Sequence, residues 1–295
     1  MREILILSGK GGTGKTSITA AFSFFLEKND IIVDCDVDAA DMHILLAPDK
    51  SSSFDFYSGK ECRVVEKMCN LCNICVENCH YHAISIRGDS AYIDPLECEK
   101  CLLCYNLCPQ KAIEANENRC GEYYISNTRL GKKLVHAVLE PGADNSGKLV
   151  STVRTTAKII AKESNSNTIL IDGPPGIACP VIAAMSGVNF VVLVTEPTIS
   201  GFSDLQRVAE LINHFKIRSG CIINKASINR EIKRDIERFC GESGIELLGE
   251  IPYSKKFYQA LVQKRSVVET DEELRKSLES IWFKINQNRV KESVK

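Results

Sequence analysis

Short apolar runs alternate with helical patterns along most of the chain, and one stretch breaks that rhythm. Residues 4–7, 31–33, 168–171, 190–194, 221–223 and 247–251 are apolar runs of strand length, and residues 123–126 and 133–139 alternate or run apolar in the same way. Between them, residues 17–26, 149–161, 203–215, 231–240 and 255–264 carry apolar positions at helical spacing. Strands separated by helices predict an α/β fold, doubly wound, with a mainly parallel sheet covered on both faces. Near the end, Leu274, Leu278, Ile281 and Ile285 repeat at helical spacing. Trp282 and Phe283 there are followed by mixed charge, which predicts a helix docked on the core rather than on a membrane surface.

The break comes after Ser51, Ser52 and Ser53. From residue 60 to 116 the chain is dense in cysteine and repeats itself. Cys69-x2-Cys72-x2-Cys75-x3-Cys79 returns 29 positions later as Cys98-x2-Cys101-x2-Cys104-x3-Cys108. A repeat joined this way suggests a module with pseudo-twofold symmetry. The expected organisation is a discontinuous domain of residues 1–59 and 117–295 with an insert of residues 60–116. A chain of 295 residues is long enough for one large domain carrying such an insert.

Composition narrows the function classes. The net charge is −1 and no long basic run occurs, which argues against a dedicated nucleic-acid binder. No apolar run reaches membrane-spanning length, and the N-terminus leads straight into a strand, so a cytoplasmic protein is expected. In that compartment the 14 cysteines are not expected to form disulfides, and a metal site is the first chemistry to test.

Between the first strand and the first helix lies Ser8-Gly9-Lys10-Gly11-Gly12-Thr13-Gly14-Lys15-Thr16. The spacing Gly9-x4-Gly14-Lys15-Thr16 is the Walker A pattern in its strand–loop–helix context. Its glycines let backbone N–H groups turn toward phosphates, and the helix start adds its positive dipole end. Lys15 would reach the β- and γ-phosphates and Thr16 would hold Mg²⁺. Lys10 is an extra cation that the general pattern does not require.

With that lysine, the loop resembles the deviant Walker A of the MinD/ParA ATPases and, more distantly, of the nitrogenase iron protein. The likeness extends to the acidic run 34–41, to Asp172-Gly173-Pro174-Pro175-Gly176, to Thr195-Glu196-Pro197-Thr198, and to the loops at Asn224 and Pro252. It implies an ATPase using Mg²⁺, with nucleotide bound by Gly11, Gly12, Thr13, Gly14, Lys15, Thr16 and Ser17. It implies Mg²⁺ on Thr16, Asp36 and Asp172, with Asp34 or Asp41 assisting, and water positioned by Asp36. It also implies that Asn224 recognises adenine and Pro252 covers the base. Lys10, Lys15 and Asp36 are then the catalytic set, and Lys10 reaches the nucleotide of a partner in a homodimer or a heterodimer with a paralogue.

Three cysteines within seven residues suit the corner irons of a cubane and suit a single zinc ion poorly. The full cysteine run closely resembles a bacterial two-cluster [4Fe–4S] ferredoxin, a small α+β fold, in which the fourth cysteine serves the other cluster. The resemblance implies one cluster on Cys69, Cys72, Cys75 and Cys108 and another on Cys79, Cys98, Cys101 and Cys104. His80 stands where that family usually has proline. Cys62 and Cys120 flank the module without ligand spacing, and Cys35, Cys179, Cys221 and Cys240 are expected as small buried residues. Two functions follow as expectations. In one, an ATP cycle gates two clusters for electron transfer or metallocofactor assembly with a redox or metallocofactor partner. In the other, a positioning ATPase carries the insert as a redox sensor or docking module.

Overall fold

Every residue of β1 (Arg2–Ser8) is buried, as a strand covered on both faces must be. The structure is a computed structural model and describes residues 1–287. β1 pairs in parallel with β8 (Thr168–Pro175) on one side and β9 (Phe190–Thr195) on the other. Beyond β9 come β10 (Ser219–Ile223) and β11 (Glu246–Glu250), again parallel. Beyond β8 come β2 (Ile31–Asp34) and β7 (Lys133–Leu139), also parallel. β6 (Ile113–Asn127) and β3 (Asp49–Val64) complete a nine-stranded sheet of order β11-β10-β9-β1-β8-β2-β7-β6-β3. The predicted α/β fold with a mainly parallel sheet is therefore present.

Chain order reverses direction across β1, so the crevice at the carboxyl ends of β1, β2 and β8 is where such a sheet binds ligands. α1 (Lys15–Ser23) starts there, and the short α2 (Met42–Leu46) follows the acidic run. The apolar core beside them joins Ile4, Ile6, Phe22, Ile32, Leu170 and Val192.

The chain divides into two compact units. One comprises Met1–Phe54, Glu122–Leu139 and the chain from Ser146 on; the other comprises Asp55–Gly121 and Glu140–Asn145. These limits are wider than the cysteine-dense stretch 60–116. β3 and β6 continue past the change in composition, and residues 140–145 join the smaller unit. β3 was not foreseen because Ser51, Ser52 and Ser53 and the neighbouring polar residues hide a period of two. Among the residues whose burial is described, Phe56, Ser58 and Cys62 are its buried positions, each an even step apart.

In the larger unit, α5 (Ser146–Glu163), α6 (Cys179–Met185), α7 (Ile199–His214), α8 (Arg230–Glu242) and α9 (Lys256–Val262) alternate with the strands. The last helix, α10 (Glu272–Gln287), buries Leu274, Leu278, Ile281, Trp282 and Ile285. The Trp282 ring lies 5.2 Å from that of Phe22, so this helix docks on the core as its spacing predicts. Among the described residues no helix is long and apolar enough to cross a membrane.

The smaller unit holds α3 (Ile74–Glu77), α4 (Leu103–Leu107) and an antiparallel hairpin of β4 (Ile84–Arg87) and β5 (Ser90–Ile93). Its buried apolar cluster is small: Cys62, Ile84, Ala91, Cys104 and Ile113.

Candidate nucleotide site and cysteine cavities

The loop between β1 and α1 turns through glycines. Gly12 and Gly14 have φ of 78° and 90°, values that side chains rarely adopt. A Cβ on Gly14 would stand 2.4 Å from the Asn224 amide nitrogen, so the loop has no room for one. That amide nitrogen donates to the Thr13 carbonyl at 2.7 Å. Asn224 Oδ1 accepts from the backbone of Lys225 at 2.9 Å. Asn224 thus braces the loop in addition to lining the cavity described below.

Lys15 is buried at the start of α1. Its Nζ lies 3.2 Å from Asp172 Oδ1 at the end of β8 and 3.5 Å from Asp36 Oδ2 just past β2. Thr16 Oγ1 donates to Asp172 Oδ2 at 2.7 Å. Thr19, one helical turn after Lys15, places its hydroxyl 2.9 Å from Asp172 Oδ1. Sequence reasoning missed Thr19; its signal is the four-residue step that sets it on the face of Lys15. Asp34 turns inward and accepts from the backbone of Asp36 at 3.1 Å and of Met42 at 3.3 Å. Asp41 is instead exposed at the start of α2, away from these contacts.

One ammonium therefore faces three carboxylates. Burial alone would lower the Lys15 pKa, but Asp172, Asp36 and Asp34 outweigh it and the net shift is upward. Burial, reinforced by Asp172, pushes Asp34 well above the usual carboxylate range. Burial also raises Asp36, against the pull of Lys15. Excess buried negative charge of this kind fits a divalent cation, and Thr16, Asp36 and Asp172 are the groups placed for it. The Thr13 hydroxyl is buried with no partner among the described residues, which suits a group that brings its own hydrogen-bonding atoms, such as a phosphate.

Beside the loop lies a cavity of about 580 Å³ lined by Gly14, Ser17, Asn224, Pro252, Tyr253 and Tyr258, among others. The predicted base-binding residues Asn224 and Pro252 thus meet Gly14 and Ser17 in one wall. Lys10 points elsewhere. Its Nζ is 2.7 Å from Glu196 Oε1 and within hydrogen-bond reach of Thr198 and Ser200 in the same chain. Burial would raise the Glu196 pKa, but Lys10 and Lys225 hold it below the usual range.

In the smaller unit the cysteines sort into two cavities. One is lined by Cys69, Cys72, Cys75 and Cys108 with apolar and amide neighbours, and no charged side chain lines it. The other is lined by Cys79, Cys98, Cys101 and Cys104, together with Cys62 and Cys75. Cys62 reaches it from β3, a proximity that ligand spacing could not reveal. The repeat is also written in the backbone. Leu71, Asn73 and His82 have left-handed φ, and so do Lys100, Leu102 and Lys111, each 29 positions later. The backbone N–H of Ala112 donates to Cys108 Sγ at 3.3 Å. Among the described residues no three His, Cys, Asp or Glu side chains are grouped to hold a single metal ion. Cys35, Cys221 and Cys240 are buried as expected, and Cys120 is buried with its thiol donating to the Ser58 carbonyl at 3.3 Å, whereas Cys179, expected to be buried, is exposed.

A glycine loop, an invading lysine at a helix start, and acidic residues at two neighbouring strand ends define a P-loop nucleotide-binding protein. The chain belongs to the CobQ/CobB/MinD/ParA nucleotide binding domain family, whose pattern matches residues 4–267. It is 32% identical over 230 residues to the uncharacterized protein MJ0578 of Methanocaldococcus jannaschii, covering 77% of this chain and 79% of that protein. Its fold is similar to septum site-determining MinD of Pyrococcus horikoshii complexed with Mg-ADP, with a TM-score of 0.58 at 19% identity, covering 98% of this chain and 97% of that one. It is likewise similar to a chain of the MinC:MinD cell division complex of Aquifex aeolicus, with a TM-score of 0.60 at 19% identity over 97% and 96% of the two chains.

Proposed function

We propose that this protein hydrolyses ATP at residues 8–16 and uses the cycle to switch its docking to a partner, and that its smaller unit carries two [4Fe–4S] clusters. The observation that carries the ATPase is the convergence of Lys15, Thr16, Asp36 and Asp172. Gly11, Gly12, Thr13, Gly14 and Ser17 cradle the nucleotide, and Lys15 neutralises its β- and γ-phosphates. Thr16 and Asp172 hold Mg²⁺, with Asp36 alongside them. Asp36 orients the attacking water, and the charge that develops is met by Lys15. Asn224 and Pro252 bound the cavity for the base. Lys10, once released from Glu196, crosses to the nucleotide of a second copy or a paralogue.

Cluster binding is supported by the division of the cysteines into two cavities. Cys69, Cys72, Cys75 and Cys108 would hold one cluster, and Cys79, Cys98, Cys101 and Cys104 the other. The backbone N–H of Ala112 already donates to Cys108 Sγ at 3.3 Å, the kind of contact that a site rich in anionic sulfur uses. Such clusters supply one-electron redox chemistry.

The likeness to MinD favours a positioning ATPase in which the cysteine unit is a redox sensor or docking module. The paired cavities favour a second reading, ATP-gated electron transfer or metallocofactor assembly with a redox partner. Anaerobic purification with iron and sulfide counts and an EPR spectrum tests the clusters. About eight irons per chain is the expected result, and four or fewer after full reconstitution rejects the assignment. Cellular localisation that follows the ATP cycle supports positioning. ATP-dependent oxidation of the reduced protein, or cluster loss to an apo-acceptor, supports the second reading.

A further inference from the structure

A third cavity of the smaller unit, about 580 Å³, lies against Cys62 and Cys98. That volume suits a small molecule. Four cations line it. Arg119 is committed, to Asp55 at 2.6 Å and to Glu140, and Arg63, 70% exposed, pairs with Glu61 at 3.6 Å. Lys100 and Arg87 have no close carboxylate partner among the described residues. Lys100 has only Asp144, at 3.8 Å, and that carboxylate is 70% exposed. Arg87 stacks its guanidinium 3.6 Å above the Tyr92 ring. Stacking fixes the plane of the guanidinium and leaves its N–H edge for a ligand. Against these two cations the wall offers one further carboxylate, Glu66.

The repeat shows that this charge is specific to one half of the module. Lys100 occupies the position of Leu71 in the first copy, and both residues are left-handed, with φ of 53° and 59°. The same backbone position therefore carries an apolar side chain beside the first cysteine set and an ammonium beside the second. Cys98 and Cys62 line both this cavity and the one formed by the second set.

We infer that this cavity binds a small molecule through a carboxylate or phosphate group, held by Arg87 and Lys100 next to Cys98. A guanidinium meets such a group through two parallel N–H donors, and an ammonium adds a point charge. The inference rests on the cluster reading above only for its spectroscopic arm; the binding site stands on the cavity and its charges.

The full chain, anaerobically reconstituted and saturated with Mg–ADP to occupy the P-loop, is titrated calorimetrically with inorganic phosphate and, separately, with succinate. Saturable one-to-one binding of either anion is expected, and which one binds distinguishes phosphate from carboxylate ligands. Arg87→Gln and Lys100→Gln should each weaken binding roughly tenfold while leaving the iron content unchanged. The bound anion should shift the EPR signal of one cluster and leave the other in place. Absence of saturable binding, or variants that bind as tightly as the parent, overturns the site. Binding with no iron in the protein keeps the site and rejects the clusters; eight irons without binding does the reverse.

Discussion

The Lys10 ammonium lies 2.7 Å from a carboxylate oxygen of Glu196 in its own chain. The other Glu196 oxygen is held by Lys225, also at 2.7 Å, and Lys225 reaches back to the Gly12 carbonyl at 2.9 Å. Glu196 is thus a clamp between two lysines at the mouth of the P-loop, and in the proposed cycle Lys10 has to leave it to reach a second chain's nucleotide. A partly exposed pair of this kind contributes about 1 kcal/mol. Glu196→Gln should therefore strengthen ATP-dependent self-association roughly fivefold, read by sedimentation with a non-hydrolysable analogue. Unchanged association would show that the clamp does not restrain Lys10.

Asp36 sits closer to solvent than Asp172 and shares Lys15 with it. Asp36→Asn should lower kcat by roughly 10²-fold, the range for loss of a group that handles the attacking water, with nucleotide affinity within a few-fold of the parent. Steady-state kinetics and ADP titration separate the two effects. A loss confined to affinity would reassign Asp36 to binding.

The raised carboxyls give the nucleotide-free protein a pH dependence of definite sign. Unfolded Asp titrates near pH ~4, while burial shifts Asp34 and Asp36 upward in the fold. Between those values the folded chain holds more protons than the unfolded chain, so stability falls as pH rises through the window. Glu196, Glu269 and Asp271 are shifted downward and titrate below it. Chemical denaturation followed upward from about pH 4 should show a steeper loss for the parent than for Asp36→Asn, and Mg–ADP should flatten the difference. Equal slopes in parent and variant would contradict the charge balance described for this site.

The cysteine sets make a crossed prediction. Cys108 lies in sequence beside the second motif yet lines the cavity of the first, and Cys79 does the converse. If the proposed clusters form, Cys108→Ala should disturb the one assigned to Cys69, Cys72 and Cys75, and Cys79→Ala the other. EPR of each variant, compared with Cys72→Ala and Cys101→Ala, reads the pairing. Spectra that group Cys108 with Cys101 would reverse it.

The nucleotide site was largely legible because its parts sit at strand ends in fixed order. Spacing singled out Gly14, Lys15 and Thr16; apolar runs ending in acid drew attention to residues 34–38 and 172, and the family resemblance picked Asp36 and Asp172 from them. The bracing of Thr13 by Asn224 and the clamp on Lys10 were not legible, since each joins residues far apart in sequence, 211 positions in the first case. β3 escaped notice for a different reason: its buried positions include a serine and a cysteine, which hydrophobic periodicity does not register. Cys62 followed it out of view. The compact units divide at Phe54 and Gly121 rather than where the composition changes, because composition changes within β3 rather than at its ends.

Six residues of the cysteine repeat, none of them glycine, hold left-handed backbone around a core of five buried side chains. Each such conformation costs roughly 1 kcal/mol, and a core of that size has also to meet the entropy of ordering the rest of the unit. If the proposed clusters supply the balance, assembly of this unit depends on the iron available to the cell and on shelter from oxygen. The larger unit, with its own core, would fold regardless. A starved or oxidised cell would then accumulate a chain able to bind nucleotide but without a formed second unit, and the ATPase would carry a record of metal supply in its own tertiary structure.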